Sequence, residues 1–282
     1  MSTSAPVAVV GATGQQGSAT VEALLDRGIA VRALTRNTDG AAARALAERG
    51  VEVVAADLEA PDSVRRAFEG AAAAFAMTTF AGERGTEGEV AHGQIIGEAA
   101  HAAQLPFLLY SSVGGAERHS GIPHFESKAR VEQLLTGKVP LNILRPTFFM
   151  ENLTYMIGRD GDEWAVRLPM PGDVPLQMIS ARDIGRAAAA LLAERDPNAA
   201  PVEIAGDEVT GERIAELLGQ RLGAPARFVE LPLEALGSDD DQKTMFDWFT
   251  KLPAYRADFE RTRELVPDVE GLATWLQRQS LG

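Results

Sequence analysis

Short apolar runs alternate in the first half of the chain with longer segments whose apolar residues recur at helical spacing. That rhythm predicts parallel strands joined by crossover helices. Val7-Ala-Val-Val10 is followed by glycines and then by Ser18–Arg27, where Val21, Leu24 and Leu25 share one helical face. The same reading gives strands at Ala30–Thr35, Val51–Ala55, Ala73–Thr78, Phe107–Tyr110 and Leu141–Leu144. Helices are predicted between them at Ala41–Arg49, Asp62–Phe68, Val90–Ala103 and Lys128–Leu135. Beyond Pro146 the rhythm breaks, and Phe148–Pro175, with Pro169, Pro171 and several glycines, predicts mostly loop with room for one helix. Ile184–Glu194 and Gly211–Leu222 read as helices, and Val202–Ala205 and Arg227–Leu231 as extended. Met245, Phe246, Trp248, Phe249, Leu272, Trp275 and Leu276 suit the core of a small helical cap, and Asp239-Asp-Asp241 reads as an exposed loop. The fold class is α/β, a doubly wound parallel sheet with a small C-terminal α/β annex.

Charge changes the picture of partners. The chain carries a net charge of −13, of which −3 falls in residues 1–150 and −10 in residues 151–282. Such acidity repels phosphate backbones, so no nucleic-acid partner is expected, while the near-neutral first half can host an anionic ligand. With no cysteine, thiolate catalysis, iron–sulfur clusters and disulfides are excluded, and no metal site is expected. Met1-Ser-Thr-Ser-Ala-Pro6 lacks the charge and apolar stretch of a signal peptide, and no run reaches the length of a membrane span. The expectation is a cytoplasmic protein without a membrane partner, and a homodimer is compatible with it.

The candidate chemistry begins in the first strand–helix turn. Gly11, Gly14 and Gly17 are spaced for a chain that leaves a strand tightly, lets a pyrophosphate approach the backbone and lets a helix pack on the sheet. Thr13, Gln15 and Gln16 lie in the same loop, whose helix N-terminus favours phosphate. This makes the first 150 residues a Rossmann-type dinucleotide-binding domain, to which the chain returns at about residues 176–196; residues 151–282 form the smaller substrate- or partner-binding region. The second strand ends Thr35-Arg36-Asn37 without an acid, which favours the 2′-phosphate of NADP(H) over the free ribose of NAD(H). Arg36 as a solvated strand end, and Asp39 as a ribose ligand for NAD(H), stay open, and Arg32 reads as surface. Asp57, next to Leu58, either meets the adenine amino group or caps the next turn. Met77, Thr78 and Thr79 are expected along the path to the nicotinamide ribose, with Thr79 and Phe80 also plausible as packing residues. Pro146, Thr147, Phe148 and Phe149 are expected beside the nicotinamide, and Asn152 either faces the cleft or ties its loop down.

Gly11–Gly17, Leu34-Thr-Arg-Asn37, His124-Phe-Glu-Ser-Lys128, Leu144–Asn152 and Ile204-Ala-Gly-Asp-Glu-Val-Thr210 together resemble the NmrA-like family, an atypical branch of the short-chain dehydrogenase/reductases, across nearly the whole chain. The resemblance implies NAD(P) binding and either reduction of a small acceptor, such as a quinone, nitro compound or imine, or service as a redox sensor acting on a regulatory protein. The wider superfamily uses a tyrosine, a lysine four residues later and a nearby serine. Lys128 matches the lysine that holds the nicotinamide ribose, and Ser112, after Ser111, matches the serine. The position of the tyrosine holds His124, and none of Tyr110, Tyr155 and Tyr255 has the required spacing to a lysine. This departure argues against ordinary alcohol dehydrogenation. His124 is then either a general acid toward a hydride acceptor or a polar loop residue beside Pro123. Ser112 either serves the reaction or satisfies the backbone at its strand end.

Overall fold

The computed structural model describes residues 5–280; Met1–Ser4 of the N-terminal stretch read above lie outside the described residues. In chain order the first half runs β1 (Val7–Val10), α1 (Gln15–Asp26), β2 (Val31–Thr35), α2 (Ala41–Glu48), β3 (Glu52–Ala55), α3 (Pro61–Phe68), β4 (Ala73–Met77), α4 (Gly85–Ala102), β5 (Leu108–Ser111), α5 (Pro123–Leu135) and β6 (Leu141–Pro146). The second half adds β7 (Phe148–Phe149), β8 (Ile157–Asp160), β9 (Glu163–Leu168), β10 (Pro175–Ile179), α6 (Ala181–Glu194), β11 (Val202–Ile204), β12 (Asp207–Thr210), α7 (Gly211–Leu222), β13 (Ala226–Glu230), α8 (Asp240–Phe249), α9 (Phe259–Leu265) and α10 (Leu272–Arg278). Among the described residues no helix is long and apolar enough to cross a membrane.

The central sheet has the order β11-β6-β5-β4-β1-β2-β3, with every pairing parallel. Its inner strands β1, β4 and β5 are buried on both faces, which is why they read as continuous apolar runs, while the edge strand β3 is exposed or half-buried. Val7 and Val9 point to one layer with α1 and α6, while Ala8 and Val10 point to the other with α3, α4 and α5. The strand order reverses between β1 and β4, and a doubly wound sheet opens its binding crevice at such a switch point, beyond the strands' C-terminal ends.

A second core joins α7, α8 and α10 to two three-stranded sheets, β12-β10-β7 and β13-β9-β8. Phe148–Pro175 is therefore not mostly loop. It contains β7, a 3₁₀ turn at Met150–Tyr155 and the β8–β9 hairpin, in which Asp160 faces Glu163 across Gly161-Asp162. Gly161 has φ +64°, and glycine as the first of two loop residues is the chemistry a tight hairpin needs. The acidic run 239–241 is likewise not a loop. Asp239 caps α8 by accepting from the Gln242 amide at 3.0 Å, and Asp240 and Asp241 form the helix's first turn.

The second half also completes the first. β11 pairs with β6, and α6 lies across α1 so closely that a Cβ on Gly185 would sit 2.3 Å from the Ala19 carbonyl carbon. Alanine ordinarily improves a helix over glycine by about 1 kcal/mol. Here backbone meets backbone, so Gly185→Ala is expected to destabilise the protein by about 1–3 kcal/mol, read as a lowered Tm. An unchanged or raised Tm would refute the close crossing.

Candidate functional site

The glycine turn forms as its spacing predicts. Gly11 takes φ +66°, its carbonyl accepts from the Gly14 amide at 2.8 Å, and α1 starts at Gln15 behind Gly14. No side chain caps this helix, so the amides of its first turn are open to a ligand. Gly17 lies under the turn, where a Cβ would come 2.1 Å from the Gly11 carbonyl oxygen. Gln15 is exposed at the helix start. Gln16 is buried, its side-chain oxygen taking a 2.7 Å bond from Ser111, which ties the helix to β5.

From this turn a cleft of about 640 Å³ runs over the ends of β1, β2, β3 and β4. It gathers Gly11, Thr13, Gly14, Thr35, Arg36, Asp57, Leu58, Met77, Thr78 and Thr79, ten of the residues singled out from the sequence. The volume is that of a small-molecule pocket. Arg36 is exposed in its wall and, among the described residues, makes no hydrogen bond or ion pair. Thr35 is buried beside it, its hydroxyl 3.4 Å from that of Thr13. The side-chain oxygen of Asn37 receives the Asp39 amide at 3.1 Å, forming a local turn, and neither residue lines the cleft. Arg32 faces away, paired with Glu52 at 2.9 Å and donating to the carbonyls of Ala67 and Glu69. Asp57 caps its own turn by accepting from the Glu59 amide at 3.0 Å while still lining the cleft. Glu59 and His92, joined at 2.7 Å, complete the rim. No sequence signal marks His92, because only the fold brings the middle of α4 to the turn that follows β3.

The inner end of the cleft rests on a buried polar network. Lys128 donates to the Thr78 carbonyl at 2.6 Å and lies 3.0 Å from a carboxylate oxygen of the fully buried Glu89. Thr78 donates its hydroxyl to Glu89 at 3.1 Å and therefore receives one from Tyr110 at 2.8 Å, while Ser127 donates to the other Glu89 oxygen at 2.5 Å. Burial pushes the Tyr110 phenol well above its ordinary value, so it stays protonated. Burial also pulls the Lys128 ammonium down, against the opposing pull of Glu89. Glu89 escaped the sequence reading, since a lone carboxylate in a helical pattern looks solvated.

His124 belongs to the first turn of α5, which starts five residues before its predicted beginning, with Pro123 at its N-terminal position. It is therefore not a loop residue. Its Nδ1 is 2.5 Å from Oδ1 of Asp241, and its backbone amide donates to Oδ2 of the same carboxylate at 2.9 Å. Its ring stacks on Phe80, with centroids 4.8 Å apart, and lies perpendicular to Phe125. Phe80 follows Thr79, so this ring stands one residue outside the cleft lining, as does Lys128 through Thr78; Ser112 is not among the lining residues either. The Ser112 hydroxyl is buried and, among the described residues, has no hydrogen-bond partner. A buried unpaired hydroxyl at the end of β5 fits a bound ligand. Pro146 and Phe148 are buried, Phe148 packing edge-on against Phe249 at 6.0 Å in the second core, and Phe149 packs against the first. None of these three lines the cleft.

Several known proteins are similar. An NmrA-like family domain-containing oxidoreductase of Aspergillus japonicus is 33% identical over 141 residues, 46% of this chain and 42% of its own, so the chain spans less than half of that relative. The crystal structure of NmrA, a negative transcriptional regulator, superposes with TM-score 0.81 at 19% identity, covering 97% of this chain and 95% of that one. A Citrobacter sp. triphenylmethane reductase complexed with NADP(H) gives TM-score 0.80 at 19% identity, covering 98% and 100%. These structures share the fold. The model of the NmrA-like family matches residues 3–264, and the chain belongs to that family.

Proposed function

We propose that this protein is an NADP(H)-dependent oxidoreductase that reduces a small organic acceptor such as a quinone or carbonyl. The observation that carries the reading is Arg36, an unpaired cation in the cleft wall at the end of a strand that offers no ribose-binding acid. The uncapped first turn of α1 receives the pyrophosphate, Arg36 and Thr35 the 2′-phosphate, and Asp57 and Leu58 border the adenine. Ser112 and Lys128 close the far end, toward the ribose and the acceptor. Bound there, the nicotinamide supplies hydride. The chain's own residues orient the two reactants, and His124 offers a proton where the acceptor needs one. Residues 1–150 serve the dinucleotide and residues 151–282 shape the acceptor side, in a cytoplasmic protein.

Calorimetric titration with NADPH, NADP⁺, NADH and NAD⁺ tests the reading. Arg36→Ala is expected to lower NADP(H) affinity about 10- to 100-fold, the worth of charge-assisted bonds to a phosphate, while NAD(H) affinity changes about twofold or less. Equal affinity for the two dinucleotides in the parent protein would sink the phosphate assignment. The absent tyrosine four residues before Lys128 favours a second reading, a redox sensor whose NADP(H) occupancy sets its affinity for a regulatory protein. Tight NADPH binding without turnover of any acceptor would select that reading.

A further inference from the structure

His124 and Asp241 come from opposite halves of the chain, 117 residues apart, and meet through two contacts on one carboxylate. An ionised carboxylate only accepts hydrogen bonds, so Nδ1 must carry a proton, and Nε2 is left as the working nitrogen. Phe80 covers one face of the ring and Phe125 packs perpendicular to it, which fixes the ring plane beside the cleft. Asp241 is partly buried, with 17% of its side chain exposed, and the imidazole keeps 12%, so the pair is shielded yet still reachable. An oriented imidazole backed by a carboxylate is the arrangement that moves a proton on and off Nε2.

Resting on the oxidoreductase reading, we infer that Asp241 positions His124 as the proton donor, and that the acceptor is therefore a neutral C=O or quinone compound rather than a carbocation. A carbocation takes hydride and is finished. A carbonyl or quinone takes hydride from the reduced nicotinamide and also requires a proton. As its C=O π bond breaks, a bond to hydride forms, Nε2–H of the doubly protonated ring transfers its proton to oxygen, and the nicotinamide is oxidised. The imidazole then regains its proton from water. The Asp241 carboxylate balances the ring's positive charge before the transfer and keeps the remaining proton on Nδ1 afterwards.

Asp241→Asn is the sharpest variant. The His124 backbone amide still demands an oxygen, so the asparagine oxygen turns to it and the amide nitrogen faces Nδ1, forcing the proton to Nε2 and leaving a neutral ring that is a poor acid. Nitrogen-15 NMR of the cofactor-free protein, taken at a pH where the ring carries a single proton and with thermal unfolding as a check on folding, is expected to show the Nδ1–H tautomer in the parent and the Nε2–H tautomer in the variant. With NADPH and 1,4-benzoquinone, kcat is expected to fall about 100-fold in Asp241→Asn and in His124→Gln, with the Kd for NADPH unchanged. Benzoquinone and benzaldehyde are expected to turn over in the parent much faster than a triphenylmethane dye. A singly protonated parent ring with its proton on Nε2, parent-like kcat in both variants, or equal turnover of the dye would overturn the assignment. A parent that binds NADPH and reduces nothing refutes the oxidoreductase reading instead, and the tautomer still decides whether Asp241 orients the ring.

Discussion

Gly17→Val is expected to abolish measurable dinucleotide binding, a loss of about 100-fold or more, equivalent to at least about 2.7 kcal/mol. A Cβ at this position would lie 2.1 Å from the Gly11 carbonyl oxygen, 2.6 Å from its carbon and 3.0 Å from the Ala12 Cα, all backbone atoms. No side chain can swing aside. Either α1 moves off the sheet or the turn moves off α1, and both displace the amides that face a phosphate. The overpacking itself costs about 1–3 kcal/mol of stability. Gly28→Ala is the control: that residue has a positive φ, of +68°, and nothing lies within 4 Å of its Cβ position. It is expected to lose roughly 1–2 kcal/mol from backbone strain and to bind NADPH as the parent does. Titration of both variants, with thermal unfolding alongside, checks the pair. Parent-like affinity in Gly17→Val would show that the turn does not hold the dinucleotide.

Glu89→Ala is expected to destabilise the protein by about 3–5 kcal/mol at pH 7, because it leaves the buried Lys128 ammonium without its counter-ion. The hydroxyl of Thr78 loses its acceptor in the same step, and that of Ser127 is left with the His124 carbonyl alone. Replacing both charges, as in Glu89→Leu with Lys128→Met, is expected to cost less than Glu89→Ala alone, since no charge then stays buried. The pH dependence has a definite sign. Burial already places the folded-state pKa of Lys128 below its unfolded value. Between the two values the unfolded chain binds the proton and the native one does not, so stability rises with pH there. Losing Glu89 removes an interaction that favours the charged form, so the window widens downward and the variant's deficit shrinks as pH rises from 7 to 9.5. Urea unfolding at the two pH values measures it. A deficit that grows with pH would mean that Lys128 is not the group left stranded.

The sheet was legible because its information is local. Val7–Val10 followed by Gly11, and each later apolar run before a helical pattern, needs no distant partner to be recognised, and the cleft follows from the order in which those runs are strung. What escaped depends on partners far along the chain. β9 is a strand because β13 pairs with it, Trp164 opposite Ala226, and the glycine turn before β9 was masked by the prolines after it. Asp239 with Gln242 three residues later is a helix-start signature, yet three consecutive acids read first as a solvated loop. His124 was found through its spacing to Lys128, but its partner Asp241 was beyond reach because no local rule joins residues 117 positions apart. Phe148 sits beside the expected nicotinamide region in sequence and inside the second core in space, since apolarity alone does not say which core a side chain enters.

The late arrival of β11 and α6 has a consequence for synthesis. Ribosomes deliver the chain from its N-terminus, so β1 to β6 emerge while β6 is still a bare sheet edge and the layer later filled by Ala187–Leu192 is open. Only when residues 181–204 follow does that face gain its helix and that edge its last strand. During this interval the nascent chain offers unpaired strand amides and an apolar surface, the combination that invites aggregation and chaperone capture. A stop codon placed between β6 and α6 would thus yield an insoluble fragment even though every residue of the glycine turn is present.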